Sequence, residues 1–188
     1  MITIRTERPV ERPAREALLD VAYGAARHQK PSCRLRDGRK PADGLSLVAV
    51  EKGRIVGTVR LWHVTAGRGR PALLLGPLAV HPEAQKRGIG AMLMQRALAD
   101  AARLGHVAVL LVGDAAYYGR FGFTPEKTQA LRLSGADPAR LLAVELNPDA
   151  LTGAHGTIAA SGEREGALLT RLGKSRTSSR APLIPRAA

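Results

Sequence analysis

Apolar residues fall into two periods along this chain, and the switches between them mark the elements. Ile2 and Ile4 alternate with polar neighbours over residues 2–5, the period of a half-buried strand. After Pro13, a residue suited to a first helical turn, Leu18, Val21, Ala22 and Ala25 recur at i, i+3, i+4 and i+7, which predicts a helix with one buried face. Residues 30–44 turn polar and rich in Pro and Gly, the composition of an irregular loop. Residues 45–51 and 54–63 read as two strands joined at Lys52-Gly53. Residues 73–80 are a third apolar run, interrupted by Gly76-Pro77. Proline cannot donate to a ladder, so this strand is expected to bulge or lie at an edge there.

Ile89, Leu93, Ala97, Ala101 and Leu104 keep a near-fourfold spacing, so a helix is expected from about Gly88–Gly90, stopped by Gly105 as a C-terminal cap. Residues 107–112 follow as an unbroken apolar strand of the kind buried on both faces. Strand, glycine turn, helix and strand in this order predict a parallel βαβ crossover. Asp114 is placed to cap a short helix over residues 115–120, and further strands are expected at residues 130–133 and 141–146. Beyond Gly162 the pattern fades.

At 188 residues the chain suits one domain, here residues 1–162, followed by a basic tail over 163–188 that is expected to be disordered. Cys33 is the only cysteine, so no disulfide can form within the chain. The longest apolar stretch falls far short of the ~18 residues of a membrane span, and the N-terminus carries charges where a signal peptide would be apolar. A cytoplasmic protein is expected. The net charge of +13 sits mostly at the ends: residues 1–40 carry ten Lys/Arg against five acids, and residues 166–188 carry five against none. Such ends could bind polyanions or serve as solvated surface. The chain has few aromatics for base stacking and no DNA-reading motif, so nucleic-acid binding would rest on the tail alone.

The sharpest local signal is Gln85-Lys86-Arg87-Gly88-Ile89-Gly90, between a strand and an amphipathic helix. Glycines let backbone N–H groups approach an anion without a Cβ in the way, and the positive end of the helix dipole favours phosphate oxygens. Lys86 and Arg87 add charge at the same mouth. The plainer reading is a tight turn into a helix. A dinucleotide loop would want a small residue where Leu93 stands, and a nucleoside-triphosphate loop would want Gly-Lys-Ser/Thr. Neither is present.

What does fit is a family pattern. Gln85, Gly88 and Gly90 match the Gln/Arg-x-x-Gly-x-Gly/Ala signature of the GNAT superfamily of N-acetyltransferases, and Val80-His81-Pro82 stands where that pattern ends its bulged strand. Tyr118 lies five residues before Phe123 of a Gly-Phe pair, the second element of the resemblance. Of six aromatics in the chain, four fall within residues 117–123, a concentration a random surface helix would not show. One departure is the Gly113-Asp114 turn, where many relatives carry Asn. The resemblance implies an α/β (α+β) GNAT fold, a mixed and mostly antiparallel sheet flanked by helices on both faces. It implies acetyl-CoA as cosubstrate, no metal, and transfer of the acetyl group to a primary amine by direct attack in a ternary complex.

By the same resemblance, the backbone of Arg87, Gly88, Ile89, Gly90 and Ala91 would hold the pyrophosphate beside Lys86, with Gln85 ordering the loop. Leu78, Ala79 and Val80 would pair with the pantetheine arm, and a backbone N–H there, that of Val80, would polarise the thioester carbonyl. Tyr118 is the expected general acid. A thiol of pKa ~8.5 leaves as thiolate while a phenol of ~10 still holds its proton. Tyr117, ~100° away around a helix, is not expected to face the same atom. No general base stands out; His63, His81, Asp114 and Glu83 are candidates. Lys30, Arg34, Arg36, Arg39 and Lys40 would suit an acceptor carrying a carboxylate or phosphate, against the plainer reading of a solvated basic loop. The acceptor is a small-molecule or protein amine, and both monomer and homodimer are open. Two other functions remain: a non-catalytic acyl-CoA sensor or scaffold, and a basic nucleic-acid-associated protein.

Overall fold

The longest strand pattern in the sequence becomes β3 (Arg54–Thr65), and the sheet is built outward from it in the computed structural model, which describes residues 1–166. On one edge, β2 (Ser46–Glu51) returns antiparallel through the Lys52-Gly53 turn with Leu47 opposite Val59, and β1 (Ile2–Thr6) adds outside it. On the other edge β4 (Pro71–Leu75) pairs with the second half of β3, and β5 (Ala79–Val80) pairs with its first half. Helix α2 (Ile89–Arg103) then carries the chain to β6 (Ala108–Val112), which lies parallel to β4 with Leu73 opposite Val109. The predicted crossover is present. After the single-turn helix α3 (Ala115–Tyr118) and β7 (Leu131–Arg132), β8 (Leu141–Glu145) closes the edge antiparallel to β6. The main sheet runs β1-β2-β3-β4-β6-β8. Short β9 (Gly156–Thr157) pairs with β7, and β10 (Ala159–Ala160) pairs with β3.

One face of this sheet is covered by α2. Ile89, Leu93, Met94 and Ala97 interlock with Leu47, Val59, Leu61, Leu73 and Val109 in a fully buried cluster. The cap of α2 is the one its sequence predicts. Gly105 takes φ 82°, its N–H reaches Ala102 O at 3.0 Å and that of His106 reaches Ala101 O at 3.0 Å. A side chain there would be forced into the left-handed region, so Gly105→Ala is expected to cost about 1–2 kcal/mol in chemical denaturation, with no change in fold.

Helix α1 (Arg12–Tyr23) crosses the opposite face of β3 and ends where Gly24 takes φ 68°. Its buried stripe differs from the predicted one. Leu18, Leu19 and Arg15 are buried, whereas Val21 is 57% exposed. The apolar spacing around Val21 was read one helical step off because an arginine occupies the inward slot. Ala25, the last position of the predicted helical face, opens a 3-10 turn, Ala25–Gln29, and the segment expected as an irregular loop from residue 30 contains another, Pro31–Leu35. Beyond Gly162 the chain still packs, with Lys40 N–H bonded to Glu163 O and Glu165 N–H to Gly38 O. Most of the expected tail, residues 167–188, lies outside the described residues. Among the described residues no helix is long and apolar enough to cross a membrane.

Candidate active site

The site begins with the irregularity predicted at Gly76-Pro77. Between the pairs Leu61–Leu75 and Thr58–Ala79, β3 advances three residues while its partner advances four. Gly76 N–H still reaches Arg60 O, but past this bulge the chain is paired with β3 alone. β5 and β6 therefore part, and Leu75, Leu78, Leu111, Val112 and Tyr118 line the gap.

The open edge of β5 carries free polar groups. A strand residue directs its N–H and C=O to the same edge. His81 N–H goes to Val56 O on the β3 side, whereas Val80 O accepts from Gln85 Nε2 at 3.3 Å and Leu78 O accepts from the Tyr23 hydroxyl. The N–H groups of Leu78 and Val80 thus face away from β3. Ala79 is paired with Thr58 and buried, so its polar groups face the sheet.

The start of α2 forms the end of the same cleft. Gly88 takes φ 76° and Lys86 φ 60°, both left-handed, a conformation glycine adopts freely and lysine only under strain. The first helical bond is Met92 N–H to Gly88 O at 3.0 Å. The N–H groups of Ile89, Gly90 and Ala91 precede that ladder, and the helix dipole adds positive potential there. The cleft holds about 500 Å³ and is lined by Leu78, Val80, Gln85, Lys86, Gly88, Ile89, Gly90 and Ala91, with Tyr117, Tyr118 and Arg120 opposite. Arg87, predicted to add charge here, does not line it. Its guanidinium is bound to both Glu51 oxygens at 2.6 and 2.8 Å and holds that carboxyl below its usual range.

Tyr118 is held from three sides. Its ring lies on Gly113, where a Cβ would overlap it, and packs edge-on against Phe123 at 6.1 Å and Tyr117 at 4.9 Å. Asp114 caps α3 through Ala116 N–H at 2.9 Å and so fixes the turn that presents the tyrosine. Burial pushes the Tyr118 hydroxyl up to about 12, with Tyr23 and Tyr117 adding to it. Tyr117 also lines the cleft. It does so beside the glycine loop, with its hydroxyl 3.2 Å from where a Gly90 Cβ would lie.

Of the candidate bases, none faces Tyr118. The ring of His63 stacks on His106 at 5.3 Å, at the C-terminal end of α2, about 22 Å of helix away from the glycine loop. The Nδ1 of His81 accepts from Glu83 N–H at 3.4 Å outside the cleft, Glu83 is exposed, and Asp114 is committed as the cap.

Through the gap beside Tyr118 the cleft meets a second cavity of about 200 Å³, on the α1 face of the sheet. Tyr23, Lys30 and Arg36 line both the gap and the cavity. Buried Glu7 braces its wall, accepting from Arg15 Nε at 2.9 Å and Arg60 Nε at 3.0 Å. The guanidiniums of Arg36 and Arg60 lie over the Trp62 ring, 5.2 and 5.9 Å from its centre. Of the loop cations predicted for an acceptor, Arg36 and Arg39 line this cavity, Lys30 does so while stacked 4.1 Å over Tyr23, Lys40 pairs with Glu163, and Arg34 is exposed. Sequence reading missed Arg15, Glu7 and Trp62. An arginine in an inward helical slot was the one available signal.

Comparison with known proteins fixes the class as an acyltransferase. The chain matches the acetyltransferase (GNAT) domain over residues 42–125. It is 30% identical over 161 residues to the uncharacterised N-acetyltransferase YhbS of Escherichia coli K12, spanning 82% of this chain and 93% of that protein. The crystal structure of YhbS in complex with CoA matches with a TM-score of 0.72, covering 85% of this chain and 89% of that one. A GNAT acetyltransferase of Brucella melitensis in complex with acetyl-CoA, 28% identical, matches at 0.65 over 86% and 96%. The chain belongs to the GNAT family of N-acetyltransferases.

Proposed function

We propose that this chain binds acetyl-CoA in the cleft between β5 and α2 and acetylates a primary amine by direct attack in a ternary complex. The observation that carries this reading is a single cleft joining free strand-edge N–H groups, an uncapped helix N-terminus and a half-buried tyrosine hydroxyl. The two relatives solved with CoA and acetyl-CoA support it. The cleft suits such a ligand: its volume is that of small-molecule sites, and glycine at 90 leaves room between the loop and Tyr117.

Acetyl-CoA, when bound, supplies the acetyl thioester. The N–H groups of Gly88 through Ala91 would hold pyrophosphate oxygens, with Lys86 as the nearby charge. The Leu78 and Val80 edge would pair with pantetheine amides, and Val80 N–H would stabilise negative charge on the carbonyl oxygen, an effect worth a few kcal/mol. As the C–N bond forms and the C–S bond breaks, Tyr118 would give its proton to the sulfur, while the amine's proton leaves to water. Cys33 supports direct transfer over an acyl-enzyme: its thiol is buried and donates to Arg27 O while accepting from Arg36.

Calorimetric titration with acetyl-CoA, CoA and NADH tests the first half. Micromolar binding of the CoA pair alone is expected, and binding of none would return residues 85–90 to a plain turn. Lys86→Ala should weaken acetyl-CoA roughly two- to fivefold, the scale of one exposed charge contact. Arg87→Ala should leave the affinity unchanged, because that guanidinium is spent on Glu51. Thiol release with amines then separates an enzyme from an acyl-CoA sensor.

A further inference from the structure

The second cavity has a cationic surplus that the fold does not use. Arg15 is 3% exposed; its Nε holds Glu7 and its Nη1 holds Glu16, and among the described residues its Nη2 has no hydrogen-bond partner. Arg36 has no carboxylate in ion-pair contact among the described residues. Its three nitrogens go to Ser32 O at 3.2 Å, Gly76 O at 3.3 Å and Cys33 Sγ at 3.0 Å, all neutral acceptors. Burial pulls the pKa of Arg36 and of Arg60 down, against the carboxylates of Asp37 and Glu7, which raise them. A guanidinium is nevertheless always charged in a protein, and a buried one without a countercharge is costly. By contrast, Arg15 and Arg60 are matched by Glu7, and Arg27 by Asp20 at 2.7 Å and Glu16 at 2.6 Å, so the surplus sits on Arg36, Arg39 and the exposed Lys30, with the Asp37 carboxylate also on the lining.

We infer that this cavity is an anion pocket, and that the acceptor is a small amine bearing a carboxylate or phosphate, held by Arg36 and the exposed Lys30 over the Trp62 floor. The amine end of this assignment rests on the acetyl-transfer reading; the anion end does not. Its geometry is consistent: Arg36 and Lys30 line both the cavity and the gap that opens on Tyr118. An anion seated at Arg36 thus leaves the remainder of a short molecule directed toward the gap. At about 200 Å³ the cavity admits an amino-acid-sized group rather than a folded partner.

Trp62 is the only tryptophan in the chain and lies beneath the guanidiniums of Arg36 and Arg60, so its fluorescence reports the pocket without any turnover. The experiment titrates the full-length protein with β-alanine and γ-aminobutyrate, with the amide of each, and with ethanolamine and its phosphate ester. Acetyl-CoA titration runs in parallel on the same protein. A saturable change with the carboxylates and not with the amides is expected, weakened at least about tenfold in Arg36→Gln. A stronger response to the phosphate ester than to either carboxylate would keep the pocket and assign it to phosphate. Equal responses to acid and amide, no saturable response to any anion, or an undiminished response in Arg36→Gln would overturn the inference. Failure of acetyl-CoA to bind while anions still do would overturn the transfer reading and leave the pocket standing.

Discussion

Tyr118→Phe is expected to lower kcat about a hundredfold or more while leaving acetyl-CoA affinity within about twofold, the usual scale for loss of a general acid. The substitution deletes one oxygen and keeps the ring. Its contacts with Gly113, Phe123 and Tyr117 therefore survive, and the loss is chemical rather than structural. The pH profile adds a second check. With its hydroxyl pushed up to about 12 by burial, Tyr118 stays protonated throughout the range in which an acceptor amine gains its lone pair. Activity should therefore rise with pH as the amine deprotonates, with no falling limb from Tyr118 below about 12. In Tyr118→Phe the same limb should appear at reduced height. Stability carries the matching sign. The unfolded chain releases the phenolic proton above about 10 while the folded chain retains it, so Tyr118 stabilises the fold below that pH and loses this contribution as pH rises through about 12. A wild-type-like kcat in Tyr118→Phe would remove the tyrosine from the chemistry.

Glu7→Gln should be the most damaging single change away from the cleft, costing about 3–5 kcal/mol by denaturant titration and on the order of 10 °C in Tm. Glu7 is 3% exposed and is shared by Arg15, itself 3% exposed, and by Arg60. Removing its charge leaves two guanidiniums crowded between α1 and β3 without the carboxylate they share. Glu51→Gln is the control, since its pair with Arg87 lies at the surface, and Tm should not move. Equal Tm values for the two variants would show that the Glu7 cluster is solvated and that the ion pairs do not hold α1 to the sheet.

How far the sequence could be read follows from how far apart the cooperating residues are. The β2–β3 hairpin, the crossover through α2 and the cap at Gly105 were legible because each depends on residues a few positions apart. Residues 147–160 offered no such handle. β9 and β10 are two-residue strands held by partners elsewhere in the chain, and no period fits into two residues. Within the cleft, the glycine loop and Tyr118 were legible from a short motif. Arg87 was misjudged because its charge alone does not say that Glu51, 36 residues earlier, lies within reach.

The second cavity lies at the other extreme. Tyr23, Arg36, Arg60 and Trp62 come from α1, a loop of polar residues and the middle of β3, and nothing in their spacing connects them. The sequence by itself determined the periodic elements, the glycine turn at residues 85–90 and the tyrosine that follows the buried strand. Only the tertiary structure decided that Val21 faces water while Arg15 faces inward, that β5 and β6 part beside Tyr118, and that arginines gather behind that gap. The physical reason is range. Hydrogen-bond ladders and caps are set by neighbours in the chain, whereas buried charge is set by whatever the packed sheet brings to it.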